Sequence, residues 1–254
     1  MRNVLITALL AAHCAAAQQT ALDKFTRPEI IELNGKVFHV QGIDLDSRHL
    51  WVTSVDSSTR KGYLHEFSLA SGRLTRSVEV QDGDRFHPGG IAAGASSLWV
   101  PVAEYKRSST AVIQKRSKAT LELEAQFEVA DHIGCVAVND SVIVGGNWDS
   151  RHFYVWDHAG KLQRKVPNPT GTSFQDLKFH NGKLVGGGTR ADHTGAIDWL
   201  DFPSLTLRHR LTAGKTHRGL SFTREGMALR NNRLYLLPED GPTRLYIFRL
   251  PAMN

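Results

Sequence analysis

His39, His87 and His132 each stand four residues before an aliphatic residue, Ile43, Ile91 and Val136. Ser173 and Thr223 hold the same place before Leu177 and Met227, and Gln41, Gly89, Gly134, Gln175 and Glu225 stand two residues before the same five anchors. Strand alternation puts both sets on one side of the chain, so three imidazoles share one column. Two chemistries use such a column. Neutral imidazoles of His39, His87 and His132, with a carboxylate such as Glu104 or Asp149, hold one divalent transition metal and leave a position open for water. Without a metal, a histidine paired with a carboxylate acts as general acid or base while an arginine holds an anionic group.

Five segments between hydrophobic runs supply the partners: Asp56, then Glu104-Tyr105-Lys106-Arg107, Asn147-Trp148-Asp149-Ser150-Arg151-His152, Arg190-Ala191-Asp192-His193, and Glu239-Asp240. An ordinary hairpin needs one turn-forming Asp or Asn, and these carry more charge than that. The expected catalytic residues are His87, His132, Glu104 and Asp149. Arg107, Gln175, Arg190 and Trp148 are expected to bind substrate, and His39, His87 and His132 to hold the metal, if one is bound.

The elements that must position these groups come from a repeat. A small or polar residue, an aliphatic anchor, a short polar turn and a hydrophobic triplet recur five times, ending in Leu50-Trp51-Val52, Leu98-Trp99-Val100, Val142-Ile143-Val144, Lys183-Leu184-Val185 and Arg233-Leu234-Tyr235. The anchors recur every 40 to 50 residues or so, the period of β-propeller blades. No stretch keeps a helical period. The chain therefore reads as all-β, a single five-bladed β-propeller over 18–254, with blades at about 36–80, 86–129, 131–167, 173–212 and 218–250. The fifth copy is one strand short, and Glu29 to Leu33 supplies it, closing the ring through the N-terminal strand. Trp51 and Trp99 occupy equivalent places and read as inter-blade core. Trp148, on a strand-exit loop after Gly145-Gly146-Asn147, is free to line a pocket.

Arg2, the apolar run Val4 to Ala12 and the small residues Ala15-Ala16-Ala17 have the form of an export signal over 1–17, which predicts a secreted protein, extracellular or periplasmic. No later run is apolar enough to span a bilayer. Once Cys14 leaves with the signal, Cys135 is the sole thiol, in a slot that is glycine in three other repeats, and reads as a small buried residue. The net charge of +6 is scattered over strand ends with no interleaved aromatic residues, which speaks against nucleic-acid binding. Gly186-Gly187-Gly188 lacks the Lys-Ser or Lys-Thr pair and the helix of a phosphate loop.

His87-Pro88-Gly89-Gly90-Ile91, Trp99 to Tyr105, Gly145 to Asp149 and Phe174-Gln175-Asp176-Leu177 resemble segments of a little-characterised family of secreted microbial β-propellers. That resemblance spans the mature chain and implies the fold but no reaction. The layout is distantly similar to gluconolactonase-type propellers, in which the resemblance implies an axial metal among Glu, Asn and Asp; here histidines stand instead. In blade count the chain is similar to five-bladed glycosidases, which implies two opposed carboxylates, Glu104 with Glu225 or Asp176. The expected function is turnover of a small anionic or hydroxylated molecule, or carbohydrate, by a monomer of hydrolase, lyase or isomerase type. The alternative is a non-catalytic module that binds a glycan or a protein.

Overall fold

The computed structural model describes residues 19–22, 27–241 and 243–250. The export segment 1–17 lies outside them. Two strands, β1 (Gln19–Ala21) and β2 (Glu29–Glu32), precede the repeats. The first blade is β3 (His39–Leu45), β4 (His49–Asp56), β5 (Lys61–Ser68) and β6 (Leu74–Glu79). In the second the inner strand is split into β7 (His87–Pro88) and β8 (Ala92–Ala93), both pairing β9 (Ser97–Ala103), then β10 (Ala111–Ser117) and β11 (Leu123–Val129). The third is β12 (Ile133–Val138), β13 (Ile143–Asn147), β14 (His152–Trp156) and β15 (Leu162–Pro167). The fourth is β16 (Ser173–His180), β17 (Lys183–Thr189), β18 (Gly195–Asp201) and β19 (Leu207–Ala213). The fifth has β20 (Gly226–Arg230), β21 (Arg233–Leu237) and β22 (Arg244–Arg249), with β2 antiparallel on β22, Ile30 opposite Tyr246. The protein is a five-bladed β-propeller.

One pairing has no counterpart in the sequence reading. β1 lies parallel on the outer edge of the fourth blade, Thr20 opposite Leu211. The next residue, Leu22, is fully buried with Trp199, Leu211 and Phe222 between the fourth and fifth blades. The strand is too short and too irregular in pattern to announce itself.

The five anchors Ile43, Ile91, Val136, Leu177 and Met227 are all completely buried, and Trp51 and Trp99 are core residues. This is the direct result of the repeat: each apolar face is covered by the neighbouring sheet. The inner strands are not regular, however. β3, β12 and β16 each carry a bulge, between Val40 and Gly42, Ile133 and Cys135, and Phe174 and Asp176. The residue inside each bulge, Gln41, Gly134 or Gln175, has no ladder partner and is turned out of the sheet.

Where the inner strands converge, only small residues fit. Gly90 accepts from Val136 N and donates to Gly134 O, both at 2.9 Å, so blades two and three join backbone to backbone. A Cβ on Gly90 would lie 2.4 Å from Gln175 O and 2.5 Å from Asp176 Oδ1. Gly90→Ala should therefore lower stability by about 1–3 kcal/mol, an overpacking penalty that urea denaturation measures.

A buried histidine in the first blade predicts acid sensitivity. The Ser54 and Ser77 hydroxyls stand 2.8 and 2.9 Å from the two ring nitrogens of His65. Burial pushes its pKa down to about 4 from 6.5. A histidine depressed in the folded state contributes stability above its unfolded pKa and loses it as pH falls through the folded one. Between pH 6.5 and 4 the wild type should lose about 3 kcal/mol that His65→Asn does not lose, read as the difference between their urea midpoints at pH 7 and pH 4.

Candidate functional site

At one end of the ring axis a cavity of about 230 Å³ opens, lined by His39, Gln41, His87, His132, Gly134, Ser173, Gln175 and Glu225. These are the residues four and two places before the anchors. The strand starts supply the first set, and the bulges, with Glu225 just before β20, supply the second. Asn147 at the end of β13, Phe174 of β16, and Tyr105, Trp148 and Asp149 from the loops after β9 and β13 complete the wall. Tyr105 stacks on His87 with ring centroids 4.2 Å apart, and Trp148 meets His132 edge-on at 4.6 Å.

The Trp148 loop is firmly set. Asn147 Oδ1 accepts from His152 N at 2.8 Å, and Ser150 Oγ accepts from Phe174 N and donates to Phe174 O, both at 3.2 Å, tying blade three to blade four. Asp149 and Ser150 hold φ of 58° and 48°, left-handed values that non-glycine residues adopt at an energetic cost. Asp149 pairs with Arg107 at 2.6 Å, and the Arg107 guanidinium lies 5.6 Å from the centre of the Trp148 ring.

Across the cavity His39 Nδ1 lies 2.7 Å from Glu239 Oε2, and Val40 N donates to Glu239 Oε1 at 3.2 Å. Glu239 comes from the loop after β21 and also has positive φ, 56°. The Glu225 carboxyl completes the group: among the described residues, the one set of three His, Cys, Asp or Glu whose donor atoms all lie within 4.8 Å of one another is His39, Glu225 and Glu239. Glu225 is almost entirely buried, and burial, with Glu239 nearby, pushes its carboxyl up to about 8 against the pull of His39 and Arg224. The hydrogen bond to Glu239 raises His39.

Burial disfavours the charged form of the other two imidazoles. Burial pushes His87 down to about 3, helped by His132 and His39. His87 Nδ1 is buried with no hydrogen-bond partner, and so is Gln41 Nε2. Burial lowers His132 too, while its Nδ1 faces Lys106 O at 3.1 Å and Ser109 Oγ at 3.2 Å.

Farther along the axis lies an ion pair. Asp176 Oδ2 accepts from Ile43 N at 2.8 Å and Met227 N at 3.0 Å, and Asp176 Oδ1 accepts from Lys178 Nζ at 2.6 Å. Lys178 also donates to Ile91 O at 2.7 Å. Both side chains are buried, and between them they tie blade four to blades one, two and five. Cys135 is fully buried beside them, its thiol pushed up to about 12 by burial.

The expected residues divide accordingly. His39, His87, His132, Gln175, Trp148 and Asp149 line one cavity. Arg107 reaches it through Asp149. Glu104 does not: it accepts from Thr110 N and Oγ1 at 3.1 Å, pairs with Lys106 at 2.5 Å, and faces an outer depression with Arg60, Asp84 and Phe86. Arg190 turns to Asp192 at 3.6 Å and is also outside the lining. Glu104 and Glu225 are thus not opposed across the cavity, and Asp176 lies beyond its wall. His39, His87 and His132 line the same wall, but among the described residues they do not form a set whose donor atoms all lie within 4.8 Å of one another. Glu225 and Glu239 are the acidic residues at the centre. Glu225 was visible as the one carboxylate in the column two places before the anchors, and Glu239 as a turn residue of the last loop.

The fold and this cavity define a five-bladed propeller with a polar axial pocket. The chain belongs to the Family of unknown function (DUF6454), whose model matches residues 52–185. No curated protein matches it in sequence. Among solved structures, the glutaminyl cyclase of Myxococcus xanthus superposes with a TM-score of 0.68 at 15% identity, over 90% of this chain and 97% of that one. The Pan2 WD40 domain of Neurospora crassa reaches 0.48 at 10% identity, over 85% and 90%, and BamB of Moraxella catarrhalis 0.46 at 14%, over 85% and 62%. At 15% identity the first shows a shared fold and nothing of its chemistry.

Proposed function

We propose that the chain is an exported, monomeric enzyme whose reacting centre is the His39–Glu225–Glu239 cluster. Its substrate is a small hydroxylated or anionic molecule, turned over by hydrolysis, lysis or isomerisation. The observation that supports this reading is convergence: an imidazole bonded to one carboxylate stands beside a second, buried carboxyl, and all three are within 4.8 Å at the wall of a cavity. A buried carboxyl that holds its proton beside an imidazole hydrogen-bonded to a carboxylate is a common form of acid–base site. Glu225, protonated at neutral pH, gives a proton to a leaving oxygen, and His39, held by Glu239, faces the negative charge that develops.

Size and lining support the substrate class. A volume of 230 Å³ is about eight waters' share of liquid, enough for one sugar-sized molecule. Tyr105 and Trp148 offer flat faces for a ring, and the unpartnered Gln41 and His87 nitrogens offer bonds to its oxygens. Kinship of fold with a glutaminyl cyclase is consistent with an enzyme and names no substrate. The likeness to gluconolactonase-type propellers carries only the axial placing of a site. Export rests on the Arg2, Val4 to Ala12 and Ala15-Ala16-Ala17 pattern.

The test is a panel of lactones, glycosides, uronates and hydroxy acids, followed by thermal shift and by product formation. Product from one member, abolished in a folded Glu225→Gln protein, supports the enzyme. Saturable binding of a glycan or protein without product, with only a modest loss of affinity in His87→Ala and His132→Ala, favours the binding module instead.

A further inference from the structure

We infer that His39, Glu225 and Glu239 together bind one divalent first-row transition ion, open on its remaining side to the axial cavity. This rests on the same cluster being the reacting centre of the proposed function and, with the ion bound, makes Glu225 an anionic ligand in place of the proton donor of the ion-free enzyme. The donor set is one imidazole nitrogen and two carboxylates from the start of β3, the residue before β20 and the loop after β21, all within 4.8 Å of one another. Small side-chain rotations bring three such atoms to about 2.0–2.2 Å from a common ion.

Charge and surroundings argue for a cation there. Two carboxylates stand side by side, and the cation paired with them is Arg224, half-exposed and 3.3 Å from Glu225 Oε1. An ion held between His39 and Glu239 takes the place of the proton they share at 2.7 Å. Val40 N, bonded to Glu239 Oε1, keeps that carboxylate turned toward His39.

A second observation is independent of the cluster. Gln41, two residues along the strand from His39, is more than nine-tenths buried, lines the same cavity, and has an amide nitrogen without a partner. A half-turn of that amide exchanges its nitrogen for its oxygen. In that orientation the amide would offer its oxygen to a water bound to the ion; in the other it offers its nitrogen to an oxygen of a ligand in the cavity.

The mixture of ligands selects the kind of ion. Imidazole with carboxylates suits zinc, manganese, iron or cobalt, whereas calcium prefers six to eight oxygens. Three protein ligands leave room for water or substrate, the arrangement of a reactive site and not of a structural one.

The experiment uses protein made without an affinity tag, stripped with a chelator and titrated with zinc or manganese alone by calorimetry. One equivalent should bind with a dissociation constant in the micromolar range or below, on the order of −8 kcal/mol. Glu225→Gln and Glu239→Gln, each shown to be folded by circular dichroism, should weaken it by about 10–100-fold or more. Asp149→Asn, in the same wall but outside the cluster, should not. Glu239 is only half-buried on a loop, so its variant reports even if Glu225→Gln unfolds. The inference is overturned by no saturable binding, by binding that both glutamine variants leave unchanged, or by binding lost in His87→Ala and kept in those variants. Turnover by ion-free protein overturns the metal and leaves the acid–base enzyme standing. Zinc binding without any turnover does the reverse.

Discussion

Asp176→Ala should cost the fold about 3–5 kcal/mol, the penalty of stranding one member of a buried ion pair. Removing the carboxylate leaves the Lys178 ammonium buried against Ile91 O and Leu177 O, with no counter-ion in contact. It also deprives Ile43 N and Met227 N of their acceptor, and each is a buried backbone donor. Few single sites couple so many blades, so the loss should appear as a lower urea midpoint for the whole ring and not as local fraying. Asp176→Leu with Lys178→Met removes both charges and should recover part of the loss, although the two backbone donors stay unpaired. If the alanine variant melts within about 0.5 kcal/mol of wild type, as an ordinary surface change would, the pair is not what holds the centre together.

Glu225→Gln should lower turnover of any substrate found by a factor of about 10² to 10⁴, the usual contribution of a positioned proton donor. Glutamine keeps the shape and the hydrogen-bonding capacity but cannot release a proton, and it cannot serve as an anionic ligand if an ion is bound. Affinity for substrate should change far less than turnover, because Gln41, His87 and the faces of Tyr105 and Trp148 are untouched. Stopped-time product assays at saturating substrate, beside calorimetric binding, separate the two effects. Glu104→Gln is the internal contrast: its carboxylate is engaged with Lys106 and Thr110 outside the cavity, so turnover should stay within about twofold of wild type, as expected of a group away from the reacting atoms.

The architecture was legible because its cause is written into every copy. An anchor such as Ile43 or Leu177 must be buried by the next blade, so apolar residues recur with the period of the blades. The column of the site was legible for the same reason, since His39, His87, His132, Gln175 and Glu225 follow from position relative to an anchor. What alternation alone hides is the bulge: a residue inserted at Gln41, Gly134 or Gln175 obeys no period of two.

Loop charges were harder to read, because a charge's neighbours decide whether it faces the cavity. Glu104 with Lys106 and Arg190 with Asp192 are two residues apart within their own turns and neutralise each other locally. Such i, i+2 pairs in a hairpin are visible in the sequence and mark residues already engaged. Glu225 has no such partner within its turn except the exposed Arg224, and its burial follows from its place one residue before β20.

The bulges also separate what the ring must preserve from what it is free to vary. A residue inside a bulge has no partner in its own blade's ladder, so its side chain can be exchanged without shifting register. Gly134 is the clearest case: it borders the cavity, and a Cβ built on it meets nothing closer than 3.9 Å. It is a blank in the lettering of the pocket. Writing glutamine, serine or lysine there would change which molecules are recognised while the scaffold stays as it is, an open route to new selectivity on an old frame.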